Sequence, residues 1–214
     1  MDYRDSVDLS DSRTQRASGG GGGGRMALGG GVGGLVLMLL VVFVGPRFGI
    51  NVSDLLGSSS GQDTQPAVQG SDLDHCKQKD VNVNTNRECR WLLYEKVLQS
   101  YWSKTATNYK YATVKLFSGT INTACGVGQT EMGPFYCSGD STVYIDDSYV
   151  GQLLKQLGAS GGDAAELYIV AHEFGHHVQN LDGTMRRVTR GTGADSAQVR
   201  LELQADCYAG VVFN

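Results

Sequence analysis

Apolar residues recur every three or four positions over residues 163–179, a spacing that predicts a helix with one buried face. Asp163 and Glu166, at the start of this run, have the spacing of a capping box, which supports a helix that begins here. The predicted buried stripe of this helix consists of Leu167, Val170, Phe174 and Val178.

A second amphipathic pattern lies near the end of the sequence and predicts another helix. Asp195 or Ser196 is suited to be its N-cap, because a short polar side chain at that position accepts a hydrogen bond from the first helical turn. We expect the apolar side of this helix to consist of Val199, Leu203, Ala205 and Val211 or Val212.

Three further elements are predicted before these two helices. Thr85 or Asn86 is suited to cap a helix over residues 88–104, where apolar and aromatic residues recur at helical spacing. Residues 109–117 and Thr142–Asp146 alternate between apolar and polar side chains and are rich in β-branched and aromatic residues. Both segments are therefore predicted to be strands.

The pattern changes from strands to helices after these segments. Asp146 or Asp147 is suited to cap a helix that runs through Leu157 and is ended by Gly158. Strands followed by helices favour an α+β domain, in which the last two predicted helices pack beside a small sheet.

The first third of the sequence differs in composition from the rest. Residues 1–25 are polar, with alternating Asp and Arg and a glycine run, and predict a disordered tail. Residues 26–44 are uncharged and apolar. About 19 residues at a rise of 1.5 Å span the hydrocarbon core of a bilayer, so this stretch predicts a transmembrane helix. Residues 45–79 are rich in Ser, Gly, Gln and Asp and predict a flexible linker to a folded domain over residues 80–214.

Positive charges flank the predicted transmembrane helix unevenly. Arg13, Arg16 and Arg25 precede it, whereas only Arg47 follows closely. The positive-inside rule therefore predicts a single-pass protein of the cell membrane with a cytoplasmic N-terminus and an extracytoplasmic domain. A cleaved signal peptide is the alternative, but no small-x-small cleavage site follows promptly and the apolar stretch is long for one.

Net charge bears on the class of partner. The formal net charge is −4, and no basic patch with interleaved aromatic residues occurs. Proteins that bind nucleic acid carry such a patch as their electrostatic footprint. We therefore expect no nucleic-acid partner.

The five cysteines predict two disulfide bonds, because the domain is expected to face an oxidising compartment. Cys125 and Cys137 flank a glycine-rich loop and are predicted to form one bond, and Cys76 and Cys89 the other. Cys207 is then left over and is expected to be a small core residue. No C-x2-C pair occurs, so a cysteine-based metal site is not expected.

The candidate chemistry is concentrated in His-Glu-Phe-Gly-His at residues 172–176. Residues four apart in a helix lie on one face, so His172 and His176 present two imidazoles to one point, as zinc ligands do. Glu173 lies beside them, where it can act on a water as general base without being a ligand. His177 points about 100° away around the helix, which favours a packing or surface role.

Glu202 and Asp206 lie four residues apart on the second predicted helix and complete the proposed site. Glu202 as third ligand gives a His2Glu set with one open position, the arrangement of a catalytic zinc, with one ion per chain. Asp206 is expected to accept the second ring N–H of a ligand histidine. Three tyrosines are candidate donors to an oxyanion, although a core or strand role is favoured for each: Tyr136, Tyr144 and Tyr208.

With these residues in place, the sequence resembles the bacterial family of neutral zinc metallopeptidases. The resemblance is carried by I-V-A-H-E-F-G-H-H-V-Q-N at 169–180 and L-E-L-Q-A-D-C-Y-A-G at 201–210, with shorter matches at 123–126, 133–137 and 143–146. It implies a zincin-like fold of the gluzincin type, with His172 and His176 as zinc ligands and Glu173 as catalytic base. The similarity of Glu-x-x-x-Asp to the third-ligand helix of gluzincins supports Glu202.

The resemblance also bears on both ends of the sequence. Members of the family usually have an N-terminal membrane helix, in agreement with the pattern at residues 26–44. They commonly continue for some tens of residues past the point where this sequence stops. We therefore expect the sequence to be truncated at its C-terminus.

Two functions from different classes follow. The first is a membrane-anchored zinc metallopeptidase that hydrolyses peptide or protein substrates, with Thr142–Asp146 pairing with an extended substrate along its edge. The second is a catalytically silent interaction module of the cell envelope in which zinc serves folding only. The open coordination position beside Glu173 favours the first, since structural zinc sites are usually closed by four protein ligands.

Overall fold

The computed structural model describes residues 3, 7–17, 73–156, 158, 162–188 and 193–213. The predicted transmembrane helix at 26–44 and most of the predicted linker lie outside the described residues. Among the helices that are described, none is long and apolar enough to cross a bilayer.

The described residues form helices and short strands in a mixed order. The helices are α1 (Arg87–Thr105), α2 (Asp147–Gln156), α3 (Asp163–Leu181), α4 (Thr184–Arg187) and α5 (Ala197–Val211). The strands are β1 (Thr14–Arg16), β2 (Thr113–Phe117), β3 (Thr120–Thr123), β4 (Gly126–Gln129), β5 (Phe135–Cys137) and β6 (Thr142–Asp146). Two short 3-10 helices cover Leu73–Lys77 and Thr130–Met132.

A four-stranded sheet with the order β1-β2-β6-β5 forms the centre of the fold. Strands β1, β2 and β6 run parallel, and β5 runs antiparallel to β6 at one edge. Strands β3 and β4 form a separate antiparallel hairpin. The mixed α+β class predicted from the sequence is confirmed.

The two faces of the sheet support different cores, because successive side chains on a strand point to opposite faces. On β6, Val143 and Ile145 belong to the main core, whereas Tyr144 belongs to a smaller cluster with Phe117 and Phe135. Helices α1 and α3 pack against the main-core face. They contribute Leu92, Leu98, Val170 and Phe174, each at most 1 % exposed.

Residues 7–17 are folded against this domain, so the prediction of a disordered tail over residues 1–25 is wrong for this part of it. Strand β1 pairs with β2 in parallel register, with Thr14 opposite Val114. Leu9 is fully buried in the main core, and the Ser12 hydroxyl donates to Glu95 Oε2 at 2.8 Å. The segment has too few apolar residues to predict this packing, since its contacts are made with distant parts of the chain.

This pairing sets a condition on any membrane topology. Strands that share backbone hydrogen bonds belong to one folded unit and lie on the same side of a bilayer. A tail in the cytoplasm and a domain outside the cell would separate β1 from β2. Arg16 is one of the arginines counted for the positive-inside rule. In the structure it is part of the folded domain, where it pairs with Glu88 and Asp147.

We expect Leu9→Ala to destabilise the whole domain. A fully buried leucine in a shared core costs about 2–5 kcal/mol when truncated, because the removed methyl groups leave a cavity. Urea unfolding of the full chain measures this loss. The control is Val97→Ala, since Val97 is 42 % exposed and its truncation should change the free energy of unfolding by less than about 0.5 kcal/mol. A Leu9→Ala protein as stable as its parent would exclude the segment from the fold.

Several predicted boundaries differ from the structure. The predicted linker to residue 79 is wrong for residues 73–79, because Leu73 is 2 % exposed and Cys76 is fully buried. The strand predicted over 109–117 begins only at Thr113, where pairing with β6 starts. Helix α1 is capped by Asn86, whose side chain accepts from the Cys89 N–H. Helix α2 is preceded by Asp146, whose carboxylate accepts from the backbone of Ser148 and Tyr149.

The start of α3 also differs from its prediction. Gly162 is the N-cap and makes no side-chain capping bond, so the predicted capping box of Asp163 and Glu166 is not formed. Asp163 instead pairs with Arg90, and Glu166 pairs with Arg87 at 2.8 Å. The acidic first turn of α3 is therefore used to attach it to α1.

Candidate metal centre

Helix α3 places two imidazoles side by side in the interior. His172 and His176 are one turn apart, their ring centroids are 4.8 Å apart, and they are 3 % and 1 % exposed. Four residues of an α-helix advance the chain by slightly more than one turn, so both rings leave the same face. The structure confirms the pairing that the spacing predicts.

Helix α5 approaches this face at a glycine. A Cβ on Gly175 would lie 3.0 Å from both the Cα and the carbonyl oxygen of Ala205 and 3.3 Å from its Cβ. These distances are shorter than ordinary contacts, so the backbone of Ala205 would have to move by a few tenths of an ångström to admit even a methyl group. The absence of a side chain at Gly175 and the small one at Ala205 allow the two helices to come close enough for their side chains to meet.

Glu202 reaches both histidines across this contact. Its Oε2 lies 3.3 Å from His172 Nε2 and 3.2 Å from His176 Nε2. Ligand atoms about 2.0–2.1 Å from a tetrahedral zinc lie about 3.3–3.4 Å from one another. The three side chains are buried, and their ligand atoms all lie within 4.8 Å of one another. The geometry therefore suits one zinc ion held by the three predicted ligands.

The chemistry of the donor atoms agrees with this fit. Among the described residues, three buried polar atoms beside one another have no hydrogen-bond partner: Glu173 Oε2, His176 Nε2 and Glu202 Oε1. His176 Nε2 is close to Glu202 but is not aligned with it for a hydrogen bond. Buried polar atoms are rarely left without a partner, and a metal with a coordinated water would satisfy all three.

Asp206 takes the position that the sequence predicts. Its Oδ1 accepts a hydrogen bond of 2.8 Å from His172 Nδ1 and another of 2.8 Å from the Tyr168 hydroxyl. The first bond holds the proton of the imidazole on Nδ1 and leaves Nε2 to face Glu202. Tyr168 was not predicted, although it lies four residues before His172 and hence on the same face of α3.

His176 has a corresponding partner that the sequence analysis missed. Its Nδ1 donates to the side-chain oxygen of Gln179 at 2.9 Å. Gln179 is fully buried and three residues further along α3. The spacing of three residues was a usable signal, because it places a polar side chain one turn away on the same face.

Glu173 lies against the three candidate ligands without being one of them. It is 2 % exposed, and burial raises the pKa of its carboxyl group, while the nearby histidines and a backbone hydrogen bond from Tyr136 act in the opposite direction. A carboxyl group with a raised pKa is suited to take up and release a proton near neutral pH.

The carboxylates and imidazoles of the site shift each other's pKa values. Burial lowers the pKa of His172, but Asp206 and Glu202 outweigh it and raise the pKa to about 10. Burial also lowers the pKa of His176, but the carboxylate of Glu202 outweighs burial, so the pKa is raised above its ordinary value. Burial raises the pKa of Glu202, yet the two imidazoles hold it below its ordinary value. This arrangement of carboxylates favours positive charge at the imidazoles, and a divalent cation bound there would have to displace their protons.

His177 serves packing, as its direction on the helix predicts. It is 1 % exposed, and burial lowers its pKa. Its Nε2 donates to the Lys110 carbonyl at 2.6 Å, and its Nδ1 accepts from the Tyr136 hydroxyl at 3.0 Å. Asn180 donates to the same hydroxyl at 2.9 Å. These bonds attach β5 to α3, the helix that carries His172 and His176.

The tyrosines considered as oxyanion donors have other partners. Tyr136 is engaged with His177, and the Tyr144 hydroxyl donates to Asp140 at 2.8 Å. Tyr208 packs edge-on against Trp102. None of the three is assigned to the site.

Both predicted disulfide bonds are formed, between Cys76 and Cys89 and between Cys125 and Cys137. Cys207 is exposed, so its predicted place in the core is wrong. His75 lies beside the first bond and forms with its two cysteines a second group of potential ligands. Because both sulfurs are joined in the disulfide, they are not available as thiolate ligands.

Comparison with known proteins identifies the family. The family model described as "Putative neutral zinc metallopeptidase" matches residues 1–214. The chain belongs to this family. It is similar to the protein Rv2575 of Mycobacterium tuberculosis, with 41 % identity over 166 residues, which cover 76 % of this chain and 56 % of that protein. It is also similar to the protein YpfJ of Escherichia coli, with 36 % identity over 181 residues, which cover 81 % of this chain and 60 % of that protein.

The matched region covers only part of each relative. The chain spans less than two thirds of the length of these curated relatives of the zinc metallopeptidase family. No solved structure matches it.

Proposed function

We propose that this protein is a zinc-dependent peptidase that hydrolyses peptide bonds. The observation that carries this proposal is the convergence of His172, His176 and Glu202 in a buried site with the carboxylate of Glu173 beside them. Three protein ligands leave a fourth position for water or substrate, whereas structural zinc sites are usually closed by four. Because only three protein ligands converge here, the site also differs from that expected of a catalytically silent module in which zinc serves folding only.

Each residue has a distinct role in the reaction. Bound zinc would supply a Lewis acid that polarises the scissile carbonyl and acidifies a water. His172, His176 and Glu202 hold the ion, and Asp206 keeps the His172 ring in the correct tautomer. Glu173 accepts the proton of the attacking water and transfers it to the leaving amine, as its buried carboxyl group with a raised pKa allows.

The strand that binds an extended peptide is proposed to be β5. The sequence predicts this role for Thr142–Asp146, but that strand is β6, which lies between β2 and β5 and has both edges paired. In the described part of the chain, β5 is an edge strand, and its Tyr136 contacts α3 through His177. A substrate strand added to β5 would pass close to Glu173, since the backbone of Tyr136 already contacts that carboxylate.

Membrane attachment through residues 26–44 stays a prediction. A single crossing of the bilayer at these residues would place residues 7–17 and the zinc site on opposite sides, whereas the pairing of β1 with β2 requires them to be on the same side. Protease protection of intact cells, with an epitope tag before residue 7, would show on which side both parts lie.

Metal content of the purified protein tests the proposed function first. After dialysis against buffered zinc, we expect about one zinc per chain, and less than a tenth of that in His176→Ala and in Glu202→Ala, because two protein ligands bind zinc weakly. The control is Glu131→Ala, which removes an exposed carboxylate far from the ligands in sequence. The zinc-loaded protein should cleave an unfolded protein substrate, and a chelator should stop the cleavage. Zinc retained in Glu202→Ala would remove Glu202 from the ligand set.

A further inference from the structure

We propose that Gln179 is a positioning residue of the metal centre that sets the orientation of His176 and ties it to the helix of Glu202. This inference rests on the proposed zinc site. It concerns a residue that contacts neither substrate nor metal and acts through the ligand histidine.

The contacts of Gln179 use every polar atom of its side chain. The oxygen accepts from His176 Nδ1 at 2.9 Å, and the nitrogen donates to the Leu201 carbonyl at 2.7 Å and to the Gln204 side-chain oxygen at 2.9 Å. The residue is fully buried. Because the Leu201 carbonyl can only accept a hydrogen bond, the amide of Gln179 has one orientation, in which its oxygen faces His176.

The bond to His176 decides which ring nitrogen carries the proton. A neutral imidazole has one N–H and one free lone pair, and an acceptor at Nδ1 holds the proton there. Nε2 is then free to bind metal, and this atom lies 3.2 Å from Glu202 Oε2. Gln179 thus serves His176 as Asp206 serves His172, with a neutral amide in place of a carboxylate.

The bond to Leu201 connects this ring to the other ligand helix. Leu201 precedes Glu202 in α5, and its carbonyl belongs to the helical turn from which Glu202 extends. Gln179 therefore joins the ring of one ligand and the backbone beside another through a single rigid amide. Such partners of ligand histidines typically change metal affinity by 10–100-fold when they are removed.

A matched set of variants separates positioning from simple packing. Gln179→Met keeps the length of the side chain and removes the acceptor for His176. Gln179→Glu keeps an acceptor for His176 but loses the donation to Leu201. Gln204→Met removes a partner of Gln179 and leaves the bond to His176 in place. Zinc affinity is measured for each metal-free protein by competition with a chromophoric chelator, and thermal unfolding of the same samples measures stability without zinc.

We expect Gln179→Met to bind zinc about 10–100-fold more weakly than the parent, and Gln204→Met to bind it within about threefold. Gln179→Glu should bind zinc at least tenfold more tightly than Gln179→Met although it is no more stable, because affinity follows the acceptor at Nδ1. Cobalt(II) absorption in the visible range should shift in Gln179→Met and stay near the parent spectrum in Gln204→Met.

Other outcomes overturn the inference. If the zinc affinities of Gln179→Met and Gln179→Glu both fall in proportion to their loss of stability, Gln179 has a packing role and no positioning role. If Gln179→Met binds zinc as tightly as the parent, the inference fails while the zinc site stands. If Gln179→Met does not fold, the zinc affinity of Gln179→Glu tests the inference alone. An affinity at or above that of the parent supports the positioning role, and a loss of more than tenfold overturns it. A parent that binds no zinc overturns the proposed function and this inference together.

Discussion

Glu173→Gln is expected to bind one zinc per chain and to hydrolyse peptides about 10²–10⁴-fold more slowly than the parent. Glutamine has the shape of glutamate but does not accept a proton from water. Glu173 is not among the three ligands whose atoms converge, so its replacement leaves the metal site intact. Metal content and the rate of cleavage of one peptide, measured on the same zinc-loaded sample, check both parts of the result.

The control for this variant is Glu166→Gln on the same helix. Glu166 is also buried, but it pairs with Arg87 on α1 and lies on the first turn of α3, away from the ligands. Its replacement weakens the attachment of α3 to α1 and should leave the rate per zinc-loaded molecule within about threefold of the parent. A Glu173→Gln protein that hydrolyses peptide at the parent rate would disprove the role of Glu173 as general base.

Gly175→Val is expected to abolish zinc binding and to lower the stability of the domain by about 1–3 kcal/mol or more. A Cβ alone at this position would be 3.0 Å from backbone atoms of Ala205, and valine adds two further methyl groups. Helix α5 must then move away from α3, which carries Glu202 away from His172 and His176. Metal content and thermal unfolding measure the two effects.

Gly210→Val is the matched control for this change. Gly210 is likewise a helical glycine, in α5, but a Cβ built there meets no atom within 4 Å among the described residues. Valine at this site should leave zinc binding unchanged and alter stability by less than about 1 kcal/mol. If Gly175→Val bound zinc as the parent does, the close approach of the two helices would not be what brings Glu202 to the histidines.

The candidate site was predictable wherever its residues belong to one element. His172 and His176 meet because four residues in a helix return to the same face, and Glu202 and Asp206 do so for the same reason. Only the pairing of the two helices had to be inferred, and resemblance to the family supported it. The structure confirms that these four side chains lie together.

The buried face of α5 differs from the predicted one. Its apolar side was predicted to contain Leu203 and Val211, which are 57 % and 41 % exposed. The buried residues are Leu201, Glu202, Ala205 and Ala209, of which Ala205 alone was predicted. Helix α5 packs against Gly175 with the small residue Ala205, and it buries the carboxylate of Glu202 beside the histidines. Because small and charged residues score low in hydrophobicity, hydrophobicity alone does not select this face.

The periodicity of the sequence thus accounts for the helices, for β6 and for the local geometry of the His-Glu-Phe-Gly-His segment, because backbone geometry relates residues within about one turn. Packing between distant segments accounts for the rest. The pairing of β1 with β2, the position of β5 at the edge of the sheet and the bonds of Gln179 all join parts that are far apart in the chain. Such contacts depend on the volume of every side chain between the elements, which no local pattern contains.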